Sequence, residues 1–224
     1  MIIAKRKPLD KIAAMLEGRK KVLVLGCSGC VTVCMEGGEA ETNAVAAALR
    51  LKFPGAQFDV ETILRLCEFD LADQIAKKAK DGGYDTVLTL ACGVGLNFLA
   101  ERLGAIPVFP GADTSFMGGA VERGVWTETC VGCGDCIAHL FGGICPIARC
   151  SKSIMNGPCG GTREGKCEVS KEKDCAWVLI YKRMKELGKL ETLSETIPPR
   201  RWNSSHHGGP RKQVHGGTAN EVGK

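Results

Sequence analysis

Aromatic residues fill only 5% of the 224 positions, so any core this chain builds is mostly aliphatic. No apolar run is long enough to cross a bilayer, and Met-Ile-Ile-Ala-Lys-Arg-Lys-Pro at the start lacks the apolar stretch of a secretory leader. Neither a membrane span nor export is expected, and the cytoplasm is the expected location. Histidine is scarce: His139 stands alone, and His206, His207 and His215 fall in a glycine-rich end segment. No Ser, His and Asp constellation suggests nucleophilic hydrolysis. No G-x-G-x-x-G follows a strand, which argues against dinucleotide binding. The net charge of +5 is modest and partly terminal, with Arg200, Arg201, Arg211, Lys212 and Lys224 against Glu221 alone. That segment has Trp202 as its only aromatic, so a protein partner is expected there and nucleic acid is not.

Cysteine is what the chain has in excess. There are thirteen, eight of them between Cys130 and Cys175. In a reducing compartment such clusters bind metal or do redox work rather than form disulfides, and an odd total leaves one thiol over in any disulfide scheme. Cys130, Cys133 and Cys136 follow C-x2-C-x2-C, which wraps three thiolates around one face of a four-iron cube. The run does not close as a bacterial ferredoxin does; Cys145 and Cys150 come next, and Cys145-Pro146 echoes the ferredoxin ending. With Cys159, Cys167 and Cys175 the group numbers eight, enough for two [4Fe-4S] clusters. One cluster plus one zinc is the alternative, because the Cys159, Cys167 and Cys175 spacing is looser than any ferredoxin run. His139 is expected to be accessory or on the surface.

The first half alternates helix and strand. Apolar residues at helical spacing run from Leu9 to Leu16 behind Pro8. Val22-Leu23-Val24-Leu25 reads as a buried parallel strand ending at Gly26. Helices are expected near 39–51, 71–80 and 97–103, and strands near 58–60, 85–90 and 106–109. This is an α/β pattern with a Rossmann-like parallel sheet in an N-terminal domain, 1–125. Its glycine-rich end, from Gly111 to Gly124, reads as a linker. A loop-rich iron–sulfur module, 126–190, follows, held together by metal for want of apolar residues. It ends in a helix whose inner face carries Trp177, Ile180, Tyr181, Met184 and Leu187. An extended basic tail, 191–224, completes the chain, ordered only on a partner.

A second cysteine group opens where the first strand ends, at Gly26-Cys27-Ser28-Gly29-Cys30, with Cys34 a helical turn later. Cys92 follows the strand that ends at Leu90. Ligands of open parallel sheets sit beyond the carboxyl ends of the strands, so Cys27, Cys30, Cys34 and Cys92 are expected to meet there around zinc or a third cluster. A small-residue turn with one or two structural cysteines is the alternative. Cys67 stands alone and is expected to be a buried small hydrophobe.

Several stretches carry a resemblance: Met155-Asn156-Gly157-Pro158-Cys159-Gly160-Gly161, Gly165-Lys166-Cys167-Glu168-Val169, Cys175-Ala176-Trp177 and Ile180-Tyr181-Lys182-Arg183, with the Gly26-to-Cys34 and Ala91-Cys92-Gly93 segments. Together they resemble the MetV-type cysteine-rich small subunit of bacterial methylenetetrahydrofolate reductases over roughly residues 21–202. The resemblance implies a flavin-bearing catalytic partner that reduces 5,10-methylenetetrahydrofolate to 5-methyltetrahydrofolate. This chain would exchange electrons with that flavin, alone or with further redox subunits, and would hold no flavin itself. A zinc-stabilised scaffold that positions the catalytic partner is the competing function, and a zinc-dependent methyl-transfer protein a third.

Overall fold

A computed structural model describes residues 1–213; His215, Lys224 and the end of the expected basic tail lie outside the described residues. The chain divides into two compact units, Met1–Trp126 and the part from Thr127 onward.

The first unit is built on a parallel sheet of four strands: β2 (Lys21–Cys27), β3 (Gln57–Ile63), β4 (Thr86–Thr89) and β5 (Val108–Pro110), in the order β3-β2-β4-β5. The apolar run in β2 explains its central place. Val22 and Val24 pack with Ile12, Leu16 of α1 (Leu9–Met15) and its cap, and with Val45 and Leu49 of α3 (Glu39–Lys52). Leu23 and Leu25 turn to the opposite face, against Ile75 and Ala79 of α4 (Phe69–Asp81) and Leu99 and Leu103 of α5 (Gly93–Leu103). Side chains that alternate across a strand covered on both faces must all be apolar, and these four are fully buried. Helix α3 starts at Gly38, whose N–H donates to the Glu41 carboxylate at 2.9 Å, and stops before Pro54.

The glycine-rich stretch expected as a linker is instead a strand. β6 (Ala112–Glu122) pairs antiparallel with β1 (Ile2–Arg6), from Ile2 opposite Met117 to Arg6 opposite Ala112, and β7 (Val125–Cys130) completes a three-stranded sheet in the order β1-β6-β7. Most of β6 is only half-buried or exposed, so its backbone ladder rather than apolar alternation holds it. That is why periodicity missed it.

The second unit has little regular structure: α6 (Pro146–Arg149), a short pair of strands β8 (Lys166–Cys167) and β9 (Ser170–Asp174), and α7 (Ala176–Glu186), among loops and 3-10 turns. Its core is small: Phe141, Trp177, Ile180 and Met184. Phe141 and Trp177 meet edge to face at 5.5 Å, and Trp177 Nε1 donates to Ile154 O at 3.0 Å. Tyr181 and Leu187, expected on the buried face of α7, are exposed. Residues beyond Leu190 are not extended throughout, with 3-10 turns at Leu190–Ser194 and His206–Gly208. The Asn156 side chain clips this segment down, accepting from Ile197 N at 2.8 Å and donating to Ile197 O at 3.0 Å.

Candidate metal centres

In the first unit, β2 delivers Cys27 to the carboxyl edge of the sheet, opposite Ile63 at the end of β3. β4 pairs alongside through Leu25 and Thr89, and Cys92 follows as the N-cap of α5. Cys30 opens the single helical turn α2 (Cys30–Val33), and Cys34 caps its end. Cys27 Sγ lies 3.9 Å from Leu64 O. Cys34 points elsewhere: it is buried against β1, its Sγ 3.6 Å from Ile2 O, and burial pushes its thiol above the ordinary range. Cys67 is exposed rather than buried, which corrects its assignment as a core hydrophobe. Burial of its sulfur nonetheless raises its thiol, with the sulfurs of Cys92 and Cys27 adding to the rise by like charge.

The glycines here serve close backbone packing. A Cβ on Gly26 would stand 2.3 Å from Thr42 Oγ1, and one on Gly37 would stand 2.3 Å from Leu90 O. Only glycine lets the loop after α2 return onto the ends of β2 and β4, where Cys27 N–H donates to Gly37 O at 2.9 Å.

In the second unit, Cys130 ends β7 and accepts from Gly132 N–H at 3.4 Å, while Cys133 Sγ lies 3.6 Å from Asp135 O; Cys130 and Cys136 are exposed. Residues 200–211 strap back over this loop. Ser204 Oγ donates to Cys133 O at 3.2 Å, and Arg211 Nη1 bridges Gly132 O at 2.9 Å and Ser204 O at 2.6 Å. Arg200 is the most informative of these. Its side chain is 4% exposed, Nη2 donates to Asp135 O at 2.5 Å and reaches Cys133 Sγ at 3.6 Å, and its face stacks on Trp202 at 5.2 Å. Its Nε and Nη1 have no partner among the described residues. A buried guanidinium with orphaned donors beside a cysteine sulfur fits an anionic, thiolate-held group.

Four of the remaining cysteines, Cys150, Cys159, Cys167 and Cys175, line one cavity, together with Glu168 and Trp177. Four segments bring them there: the residue after α6, the loop behind Pro158, the end of β8 and the N-cap of α7. The backbone N–H of Val169, then the Ser151 hydroxyl and the N–H of Ser170, hold the Cys167 thiol below its ordinary range, so the thiolate a metal needs is favoured. Cys159 Sγ lies 3.5 Å from Glu168 Oε1, and Lys152 pairs with that carboxylate and holds it low. Cys145 caps α6 ahead of Pro146 and does not line this cavity. His139 lines a different cavity with Phe141 and Asn156, while His206 and His207 border a third beside Cys133 and Trp202.

Among the described residues no three His, Cys, Asp or Glu side chains are already drawn together as a finished ligand set. Two thiols of the cavity face other polar groups, Cys159 the Glu168 carboxylate and Cys167 the Ser151 hydroxyl at 3.7 Å, and rotation about χ1 is what would bring them onto a shared ion or cluster. The donor chemistry fits: four soft thiolates suit zinc or iron–sulfur and disfavour hard cations.

Residues 109–203 match the family described as "Methylene-tetrahydrofolate reductase C terminal". No curated protein matches the chain. Among solved structures, an ABC transporter system solute-binding protein from Conexibacter woesei DSM 14684 is 20% identical, with 46% of this chain and 30% of that chain covered and a TM-score of 0.27. That likeness is too slight to bear on fold or function.

Proposed function

We propose that this chain is the iron–sulfur electron-transfer subunit of a methylenetetrahydrofolate reductase complex, of the MetV type. The family match associates residues 109–203 with methylenetetrahydrofolate reductase, and the observation that carries the finer reading is the cavity within that span where Cys150, Cys159, Cys167 and Cys175 converge. These four hold one centre. Cys130, Cys133 and Cys136, with Cys145 as the remaining cysteine of the unit, hold another. Cysteines at the strand ends of the first unit, drawn from Cys27, Cys30, Cys34 and Cys92, hold a third. A [4Fe-4S] cluster, when bound, supplies a one-electron relay. The protein's own groups set its electronics: Gly132 N–H at Cys130, Val169 N–H at Cys167, and the Arg200 guanidinium beside Cys133 place positive charge at the sulfurs. Reduction of 5,10-methylenetetrahydrofolate to 5-methyltetrahydrofolate takes two electrons and two protons and would take place on the flavin-bearing partner, with this chain supplying the electrons. On this reading no organic substrate site is needed on this chain.

The cavity's four thiolates favour a second reading, in which zinc sits there and the chain positions the catalytic partner without carrying electrons. Metal and acid-labile sulfide analysis of the anaerobically purified chain separates the two. The electron-transfer reading expects about eight irons per chain from the second unit, with matching sulfide, and a broad visible absorption that dithionite bleaches. Zinc without sulfide, in colourless protein, would establish the scaffold instead.

A further inference from the structure

We propose that Cys67, and not Cys34, completes the thiolate set of the first unit with Cys27, Cys30 and Cys92, making a four-cysteine site for a [4Fe-4S] cluster or a zinc ion. The proposal rests on the reading that this strand-end group binds metal.

The topology places three of the four on adjacent loops, and Cys30 follows Cys27 by three residues at the start of α2. Strands β3, β2 and β4 are adjacent and parallel, so the loops leaving their carboxyl ends share one crevice. Each of the three contributes a cysteine: Cys67 follows the end of β3 at Ile63, Cys27 ends β2, and Cys92 follows the end of β4 at Thr89. The first two loops touch, since a Cβ on Gly29 would lie 3.5 Å from Cys27 Sγ, Leu64 O and Arg65 Cγ alike. The third closes on them: Leu66 is fully buried, and a Cβ on Gly95, in the first turn of α5, would stand 3.0 Å from Leu66 Cβ. Cys67 is therefore anchored by its neighbour against the same helical turn that Cys92 caps. The N-terminus of α5, eleven residues long, adds a positive end that favours thiolates in this crevice.

Cys34 is excluded by the same geometry. It is 3% exposed and its sulfur faces Ile2 O on β1, so ligation would require breaking the contact between α2 and β1. Cys67, by contrast, is exposed on the loop that follows β3.

The test uses the full chain purified anaerobically, in wild-type form and as Cys27→Ser, Cys67→Ser and Cys34→Ser. Iron, zinc and sulfide are counted per chain, and cysteine alkylation is mapped by mass spectrometry on the wild-type protein before and after metal removal. Cys67→Ser is expected to lose the same metal as Cys27→Ser, about four irons or one zinc, while Cys34→Ser keeps the full complement. Cys67 should be protected from alkylation in the loaded protein and labelled once metal is removed, a readout that does not depend on any variant folding. If Cys27→Ser loses metal while Cys67→Ser keeps it and Cys67 labels equally in both states, Cys67 is not a ligand. If Cys27→Ser also keeps the full complement, the strand-end group binds no metal, and the underlying reading falls with the proposal.

Discussion

The two units solve the same problem from opposite ends. In the first, a covered parallel sheet is complete without metal, and its strand ends carry the cysteines to a common edge. In the second, the apolar core is small, centred on Phe141, Trp177, Ile180 and Met184, and the cysteines lie on loops or at the ends of short elements. A scaffold that positions its ligands tolerates losing the metal; loops positioned by their ligands do not. On the proposed function, the contrast tells which unit's stability would be coupled to a bound metal.

The strongest way to break that comparison is to remove the metal. Chelation under reducing, anaerobic conditions should collapse backbone amide protection in the second unit, since structural metal sites contribute on the order of 10 kcal/mol of folding free energy. The first unit should keep its protection. Hydrogen exchange read by mass spectrometry checks both at once, and equal losses in the two units would end the distinction. Trp177→Ala comes next. It removes the largest member of the small core and leaves Ile154 O without its donor, so a loss of about 3–5 kcal/mol is expected in the second unit's thermal transition. Gly37→Ala should act only on the first unit. The added methyl would press on Leu90 O, and a cost of about 1–3 kcal/mol is expected. Gly55→Ala, with open space around it, is the matched control and should stay within about 0.5 kcal/mol. Both are read by denaturant unfolding.

Arg200→Gln sharpens the comparison at the level of electronics. Removing a buried cation beside Cys133 disfavours the more negative, reduced state of the centre there. A tenfold change in relative stability corresponds to about 59 mV for one electron, and a downward shift of that order is expected in a redox titration with iron content unchanged. An unmoved potential would leave Arg200 a purely structural strap. A further small effect belongs to Tyr84, whose hydroxyl donates to Asp59 Oδ2 at 2.8 Å and whose phenol burial and that bond push up to about 12. A raised pKa contributes stability that is full below the unfolded phenol's value of about 10 and is lost as pH climbs toward about 12. Tyr84→Phe should cost about 1 kcal/mol near neutral pH and flatten that alkaline loss, as measured by denaturant melts at both ends of the range.

Sequence periodicity located the four parallel strands, β2 most plainly because its apolar run is covered on both faces. It missed β1 and β6, where Gly118 and Gly119 sit among half-exposed residues and backbone pairing does the holding. The candidate ligands were visible as residue types, but their grouping was not. Nothing in the spacing of Cys150, Cys159, Cys167 and Cys175 says that four separate segments bring them to one cavity. Cys67 looked isolated because its neighbours in space, Cys27 and Cys92, are reached only through two crossover connections. The role of Arg200 was hidden for a similar reason: a basic residue near the chain's end reads as solvated until its side chain is seen buried against Cys133.

The strand-end crevice also imposes an order of events during synthesis. Cys27, Cys67 and Cys92 become neighbours only once β2, β3 and β4 have all left the ribosome and docked in parallel, a non-local pairing that is slow to form. Cys130, Cys133 and Cys136 are close in the chain from the moment they emerge. On the proposed function, a delivery system that hands over preassembled centres would find three thiols of the later-translated site already neighbours in the chain, whereas the earlier-translated site waits on the sheet.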